Sequence, residues 1–444
     1  MTKPLLLSFI LSLSLHAMSL DETIQKALEN NNKLKTIKLQ VEQSKEAKNA
    51  KKAQNYGKVN LIASYDHYNN ARTLAPLTPM DIVSSADGAY KIPATKDMIT
   101  TGISYNVVLF NGFAQQNSYE ISDILHKSSI IKEKLGKEEL IYNVRTLYIS
   151  LLALKQQLKA QKEFTLSQKN LYLQIDAAYK VGKKSYLDTL KAKNSYQTSV
   201  YFEKKIRSNI DTLKATLSSL IGGEEFDDTV EIPIDLDTKI QKNININSLQ
   251  RYKIATLQTQ SASKKLKTQE ASYYPVIDFS SYYGYNYGPN TTTNTRPATG
   301  VTYIEKGDFN SKDIWQVGVH LKWNIFDFGV RSSLVEKEKL SVLESKLQTQ
   351  DVKLELTKNL KIAQSKLKLA KASYTSAHSE YELLKEIAKV EKVKYENDAS
   401  TITDLLDAQA KEKVAFAKMI NSKYEYQKAK YYIDYLLERG ENNK

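Results

Sequence analysis

The chain has no cysteine among its 444 residues. That excludes a disulfide framework, a thiolate metal site and lipid attachment through a cysteine. Histidine is scarce too: the five copies, at 16, 67, 126, 320 and 378, are scattered and share no ligand spacing. Phosphate-binding loops and HExxH motifs are missing, so the residues point to no catalysis, no metal and no cofactor. No apolar run reaches the roughly 18 residues of a membrane-spanning helix. Breakers are few as well. Apart from Pro4, prolines stand only at 76, 79, 93, 233, 275, 289 and 297, and the 110 residues between Gly329 and Gly440 contain neither glycine nor proline. A span that long without breakers cannot hold many short elements. Negative charge is in deficit, leaving a net charge of +14. The excess is lysine spread along stretches such as "KEAKNAKKAQ" (45–54), which reads as solvated helix faces rather than a nucleic-acid surface.

What is present starts with a leader. In "MTKPLLLSFILSLSLHAMSL" a lysine precedes an apolar core and then the small Ala17, the layout of a secretory signal peptide cleaved after that residue. The rest is written twice. Tyr179/Tyr395, Asp188/Asp404, Leu190/Leu406 and Ala192/Ala408 are each 216 positions apart, and "LFNGF" (109–113) matches "IFDFG" (325–329). Leu140, Val144, Leu147, Leu151, Leu154 and Leu158 step by fours and threes, as do Leu356, Leu360, Ala363 and Leu367. Sustained heptads mean long helices packed on partner helices. Ser185 with Asp188, and Thr401 with Asp404, read as capping boxes that open the returning helices.

Four segments alternate instead. In "IWQVGVHLKWNIF" (314–326), Trp315, Val317, Val319, Leu321, Trp323 and Ile325 share one face. In "ITTGISYNVVLF" (99–110), Ile103, Tyr105 and Val107 do the same, and 59–68 and 276–287 repeat the pattern. Ten to twelve residues, apolar on one side with aromatic ends, suit a tilted membrane strand. An open edge in lipid leaves backbone groups unpaired, and four strands are too few to close. Several chains must contribute: three give twelve strands, two give eight, and the long helices favour three.

The predicted order is a signal peptide (1–17), a first unit (18–221), an acidic connector (222–248) and a second unit (249–440). The first unit has strands near 58–70 and 98–110, a long helix near 112–180 and a return helix near 186–221. The second has strands near 275–287 and 313–326 and helices near 329–396 and 402–439.

The junctions "VVLFNGF" (107–113) and "NIFDFG" (324–329) and the tips "YKVGKKSYLDTLKA" (179–192) and "STITDLLDAQ" (400–409) resemble those of TolC-type outer membrane efflux proteins. The resemblance covers nearly all of 20–439 and implies a mixed α and β fold: a trimeric twelve-stranded outer membrane β-barrel continuous with a periplasmic α-helical coiled-coil barrel. It implies a passive exit duct in a Gram-negative outer membrane, a homotrimer that works with a periplasmic adaptor and an inner membrane transporter. By the same resemblance Asp404 and Asp407 ring the periplasmic entrance, and Tyr395 and Asp188 tie neighbouring tip helices shut. Val181, Gly182, Lys183, Asp398 and Ala399 would meet the adaptor. Ser400 replaces an arginine of that family, which leaves Lys183 or Lys184 to supply the cation, and a weaker closed state is expected. Trp315, Val317, Val319, Leu321, Trp323, Ile103, Tyr105 and Val107 would face lipid. A secreted trimeric coiled-coil adhesin is the alternative, and a basic coiled coil on nucleic acid a further rival that leaves leader and strands unexplained. The cargo is not written in the chain.

Overall fold

The computed structural model describes residues 18–86, 92–234, 244–291 and 307–440. The predicted signal peptide lies outside them, as do parts of the predicted connector and of the loops between paired strands. The chain divides into a helical unit, within residues 1–41, 129–255 and 348–444, and a sheet unit, within 42–128 and 256–347.

Eight helices stand among the described residues: α1 (Leu20–Asn30), α2 (Asn32–Ala53), α3 (Pro79–Ala86), α4 (Ala114–Lys180), α5 (Tyr186–Leu220), α6 (Gln250–Glu270), α7 (Val330–Glu396) and α8 (Ile402–Leu436). Helices α4 and α7 have 67 residues each, α5 and α8 have 35 each, and the members of each pair begin 216 positions apart. At ~1.5 Å per residue the longest run about 100 Å. They persist because no proline interrupts them and because a heptad stripe is buried. On α4, Leu140, Val144 and Leu151 are buried beside Tyr148, with Leu147, Leu154 and Leu158 packed around them. The same core takes Ile210 and Leu217 from α5 and Ile420 and Tyr424 from α8.

All four of these helices end in the left-handed region, at Gly182 (φ 80), Gly222 (φ 91), Asp398 (φ 54) and Glu438 (φ 56). In each case the next amide reaches back to a carbonyl of the last turn: Lys183 to Ala178 (2.8 Å), Gly223 to Ser218 (2.8 Å), Ala399 to Lys394 (2.8 Å) and Arg439 to Asp434 (3.0 Å). This cap normally takes glycine because a Cβ is strained there. The first half uses glycine; the second uses acidic residues at the same offset. Glu438 also acts at a distance. Its carboxylate accepts the Gln250 and Arg251 amides at 2.5 and 3.0 Å and so caps α6.

The sheet unit carries β1 (Lys58–Thr73), β2 (Ala94–Phe110), β3 (Val276–Pro289) and β4 (Phe309–Lys322). They form one antiparallel sheet in chain order. Register puts like on like. Leu61, Ile103, Tyr283 and Trp315 make one rung; Val59, Tyr105, Ser281 and Val317 make the next. On the opposite face Asn60, Ser104, Tyr282 and Gln316 align. One face is therefore apolar and the other polar, as strand geometry requires of period-two sequences. The apolar face is bare: Leu61 is 80% exposed and Trp315 70%.

One strand differs from expectation. β4 starts at Phe309 and stops at Lys322, so Trp323 and Ile325 fall beyond it although the alternation continues through them. The reason lies across the ladder. Lys322 pairs with Val276, and the next partner would be Pro275, which has no N–H to give. Beyond the strand the indole of Trp323 donates to the Tyr273 carbonyl at 3.0 Å. Arg331 gathers the remaining orphan groups. Its guanidinium donates to the carbonyls of Asn324 (2.6 Å), Ile325 (3.1 Å) and Ser272 (3.3 Å) and to the Asp327 carboxylate (2.6 Å).

Candidate functional site

The two turns that join the long and returning helices hold most of the predicted site residues, and both belong to the helical unit. Each is built by a left-handed cap followed by a capping box. In the first, the Ser185 hydroxyl accepts the Asp188 amide (3.1 Å) and the Asp188 carboxylate accepts the Ser185 amide (3.2 Å). In the second, Asp404 accepts from both the Thr401 amide (3.1 Å) and its hydroxyl (2.6 Å). Those bonds hold the Asp404 carboxyl below the usual carboxylate range. Beneath the turns, Ile175, Ala192, Ile402 and Leu405 are buried in one cluster with Tyr395 and Leu406 packed against it.

The two turns are joined through Lys184. Its ammonium donates to Asp398 at 3.0 Å and sits 4.8 Å from the centre of the Tyr395 ring. The bond to Asp398 raises the lysine above its ordinary pKa, while burial pushes the Tyr395 phenol up. Of the two lysines proposed to replace the missing arginine, Lys184 makes this link. A second crosslink runs from Lys191 to the Thr403 hydroxyl at 3.0 Å.

The other predicted residues are placed as follows. Asp188 is hydrogen-bonded within its own cap, and among the described residues Ser185 is its hydrogen-bond partner. Asp407 pairs with Lys411 on the same helix at 2.6 Å, both well exposed. Val181, Lys183 and Ala399 are exposed, a Cβ on Gly182 would meet nothing within 4 Å, and the Asp398 side chain is 84% exposed. Trp315, Val317, Val319, Leu321 and Ile103 are exposed on the apolar sheet face, with Tyr105 and Val107 half-buried on it.

One group was missed by sequence reasoning. A cavity of about 640 Å³ in the helical unit is lined by Phe164, Tyr381, Glu412, Lys413 and Phe416 among others. The Lys413 ammonium is buried there between the rings of Phe164 (5.7 Å) and Phe416 (5.6 Å), with no hydrogen-bond partner among the described residues. Burial lowers its pKa to about 8 and raises that of Glu412. The spacing on α8 alone could not have found it, because the enclosing ring of Phe164 comes from α4.

The outer membrane efflux protein family matches residues 23–223 and 253–437, most of the chain. The chain belongs to that family. This makes it an outer membrane protein and an export channel rather than an enzyme. Among solved structures it is similar to the Campylobacter jejuni CmeC outer membrane channel, at 17% identity and a TM-score of 0.78, over 95% of this chain and 86% of that one. The outer membrane protein VceC of Vibrio cholerae follows at 12% identity and 0.73, over 94% and 95%. The open state of the MtrE outer membrane channel of Neisseria gonorrhoeae gives 13% and 0.70, over 94% and 88%. At these identities the likeness speaks for the fold. No curated protein sequence is significantly similar to the chain.

Proposed function

We propose that three copies of this chain form the outer membrane exit duct of a tripartite pump, with a periplasmic adaptor and an inner membrane transporter supplying specificity and energy. The observation that carries this reading is the four-stranded sheet, which among the described residues has one bare apolar face and two unpaired edge strands, β1 and β4. Such a sheet is stable in lipid only when its edges are closed by other copies. Three copies make twelve strands, with the Trp315 face in lipid and the Gln316 face lining water. On α7 an exposed stripe of Ile362, Leu369, Leu383 and Val390 supports helix packing between copies at heptad spacing. The equal lengths and common offset of the two helix pairs support two copies of one structural unit, 18–221 and 249–440, around the connector.

The tips form the periplasmic entrance. Asp404 and Asp407 from each copy would ring it with carboxylates, attracting cations. The bonds to Thr401 and Lys411 engage one oxygen of each carboxylate, and the second oxygen is the one offered to a passing cation. The Lys184–Asp398 pair, backed by the Tyr395 ring, is the charged element that holds the two tips of one chain together. Val181, Gly182, Lys183 and Ala399 offer the adaptor an exposed edge. The test is purification: the protein is expected as a trimer that needs detergent and conducts ions in a planar bilayer. A freely soluble monomer without amphiphile would overturn the reading. Neutralising Asp404 and Asp407 together is expected to reduce cation selectivity, and unchanged selectivity would remove the ring.

A further inference from the structure

The loop between β1 and β2 carries the short helix α3, at the end of the sheet opposite the strand ends that join α2 and α4. Its surface is apolar: Leu77, Met80, Ile82 and Val83 are exposed, Met80 at 72%. Met80 and Val83 are one turn apart and share a face. Eight residues are too few for a helix to persist alone, and this one is fastened. Pro79 opens it. The Thr78 hydroxyl accepts the Asp81 amide at 3.2 Å, and the Asp81 carboxylate accepts the Thr78 amide at 2.7 Å. The fastening continues to the sheet. Ser64, Thr100, Asn286 and Lys312 make one rung, an even step along each strand from the rung of Asn60, Ser104, Tyr282 and Gln316, and so lie on the same polar face. The Asn286 side chain accepts the Thr100 hydroxyl at 2.8 Å and donates to the Leu74 carbonyl at 2.9 Å, which turns the chain leaving β1 over that face. Lys312 attracts the Asp81 carboxylate. Leu74 is buried, and so is Met98, the next residue of β2 on the polar face.

We propose that α3 is an apolar gate across the outer mouth of the duct, closed by the same helix from two other copies, with Met80 and Val83 meeting about the pore axis. The inference rests on the barrel reading. There the polar face is the one turned to water, and an apolar patch on a watery wall needs a cover. Size supports the same helix from other copies as that cover. Twelve strands about 4.8 Å apart and tilted about 40° enclose a ring roughly 24 Å across. Three helices of about 10 Å diameter nearly fill it. Lys312 draws the one charge of α3, on Asp81, towards the sheet, so the side chains left for the axis are apolar. An apolar constriction resists water and ions, while unbranched methionine adapts to whatever presses on it. The gate therefore bars hydrophilic solutes from outside and yields to cargo with apolar surface.

The absence of native cysteine lets one experiment read gate and barrel separately. A membrane-impermeant maleimide is added outside intact cells that carry Gln316→Cys, on the polar face, with and without Met80→Ser and Val83→Ser. A second protein carries Val317→Cys, on the apolar face. Labelling at 316 is expected to be slow and to become several-fold faster with the two serines, while 317 stays unlabelled. Met80→Cys, alone in the otherwise cysteine-free chain, is expected to give disulfide-linked pairs of chains on mild oxidation. Equal 316 rates with and without the serines, or no linked pairs, overturn the gate alone when 317 stays protected. Labelling at 317 overturns the barrel reading and the gate with it.

Discussion

Leu217 on α5 is fully buried, whereas Leu61 on β1 is 80% exposed. The helical unit turns Leu140, Leu151 and Leu217 inward around Tyr148, while Leu369 and Leu383 on α7 stay exposed. The sheet unit turns Leu61, Ile103 and Trp315 out from a surface that no second layer covers among the described residues. The contrast teaches that hydrophobic periodicity identifies a face without naming its solvent. Around Tyr148 the apolar stripe has found protein of its own chain; on the sheet face and the outer stripe of α7 it needs something beyond the chain.

Three changes probe that difference most strongly. Leu217→Ala should cost about 2–5 kcal/mol, as buried leucine truncations do, read as a fall in melting temperature of the detergent-solubilised protein. Leu61→Arg should cost about 2–4 kcal/mol if the sheet face is in lipid, against about 0.5 kcal/mol or less for an exposed site in water. The fraction inserted and assembled in membranes distinguishes the two. Lys413→Met should stabilise the helical unit by about 1 kcal/mol, because it removes a buried donor without a hydrogen bond. The sign with pH follows: the lysine's folded pKa, about 8, lies below its ordinary value, so the charged form is penalised and the native protein gains stability as pH rises through that window. The variant should lose that gain.

The smallest effects belong to the tips. The Asp404 carboxyl is depressed, so its cap stabilises above the ordinary aspartate range and is lost as pH falls below it. Fraying of the α8 start should appear in amide exchange on acidification and be absent from the pH dependence of Asp404→Asn. Lys184→Ala should raise resting pore conductance, whereas Lys183→Ala should leave it unchanged; equal responses would remove Lys184 from the gate.

Much of this architecture was readable from local chemistry. A long stretch without proline foretold α4 and one without glycine or proline foretold α7, and period two foretold four strands whose register then aligned the expected faces. The end of β4 was not readable, because the alternation runs on through Trp323 while the obstacle, Pro275, sits just before another strand. The left-handed cap at Glu438 was hidden for a related reason: an acidic residue occupies a conformation that usually signals glycine. At the tips the capping boxes were visible in spacing, but the choice of Lys184 over Lys183 depended on how the two turns approach. Lys413 was invisible because its burial needs Phe164, far away in the chain.

Thr100 on β2 bonds to Asn286 on β3, a partner 186 residues later. The first hairpin must therefore wait, with α4 and α5 synthesised in between, before its inner edge can be covered. Contacts of such separation form late. During transit to the outer membrane, β2 would be an open adhesive edge, and any factor that shields nascent strands would find its critical substrate there.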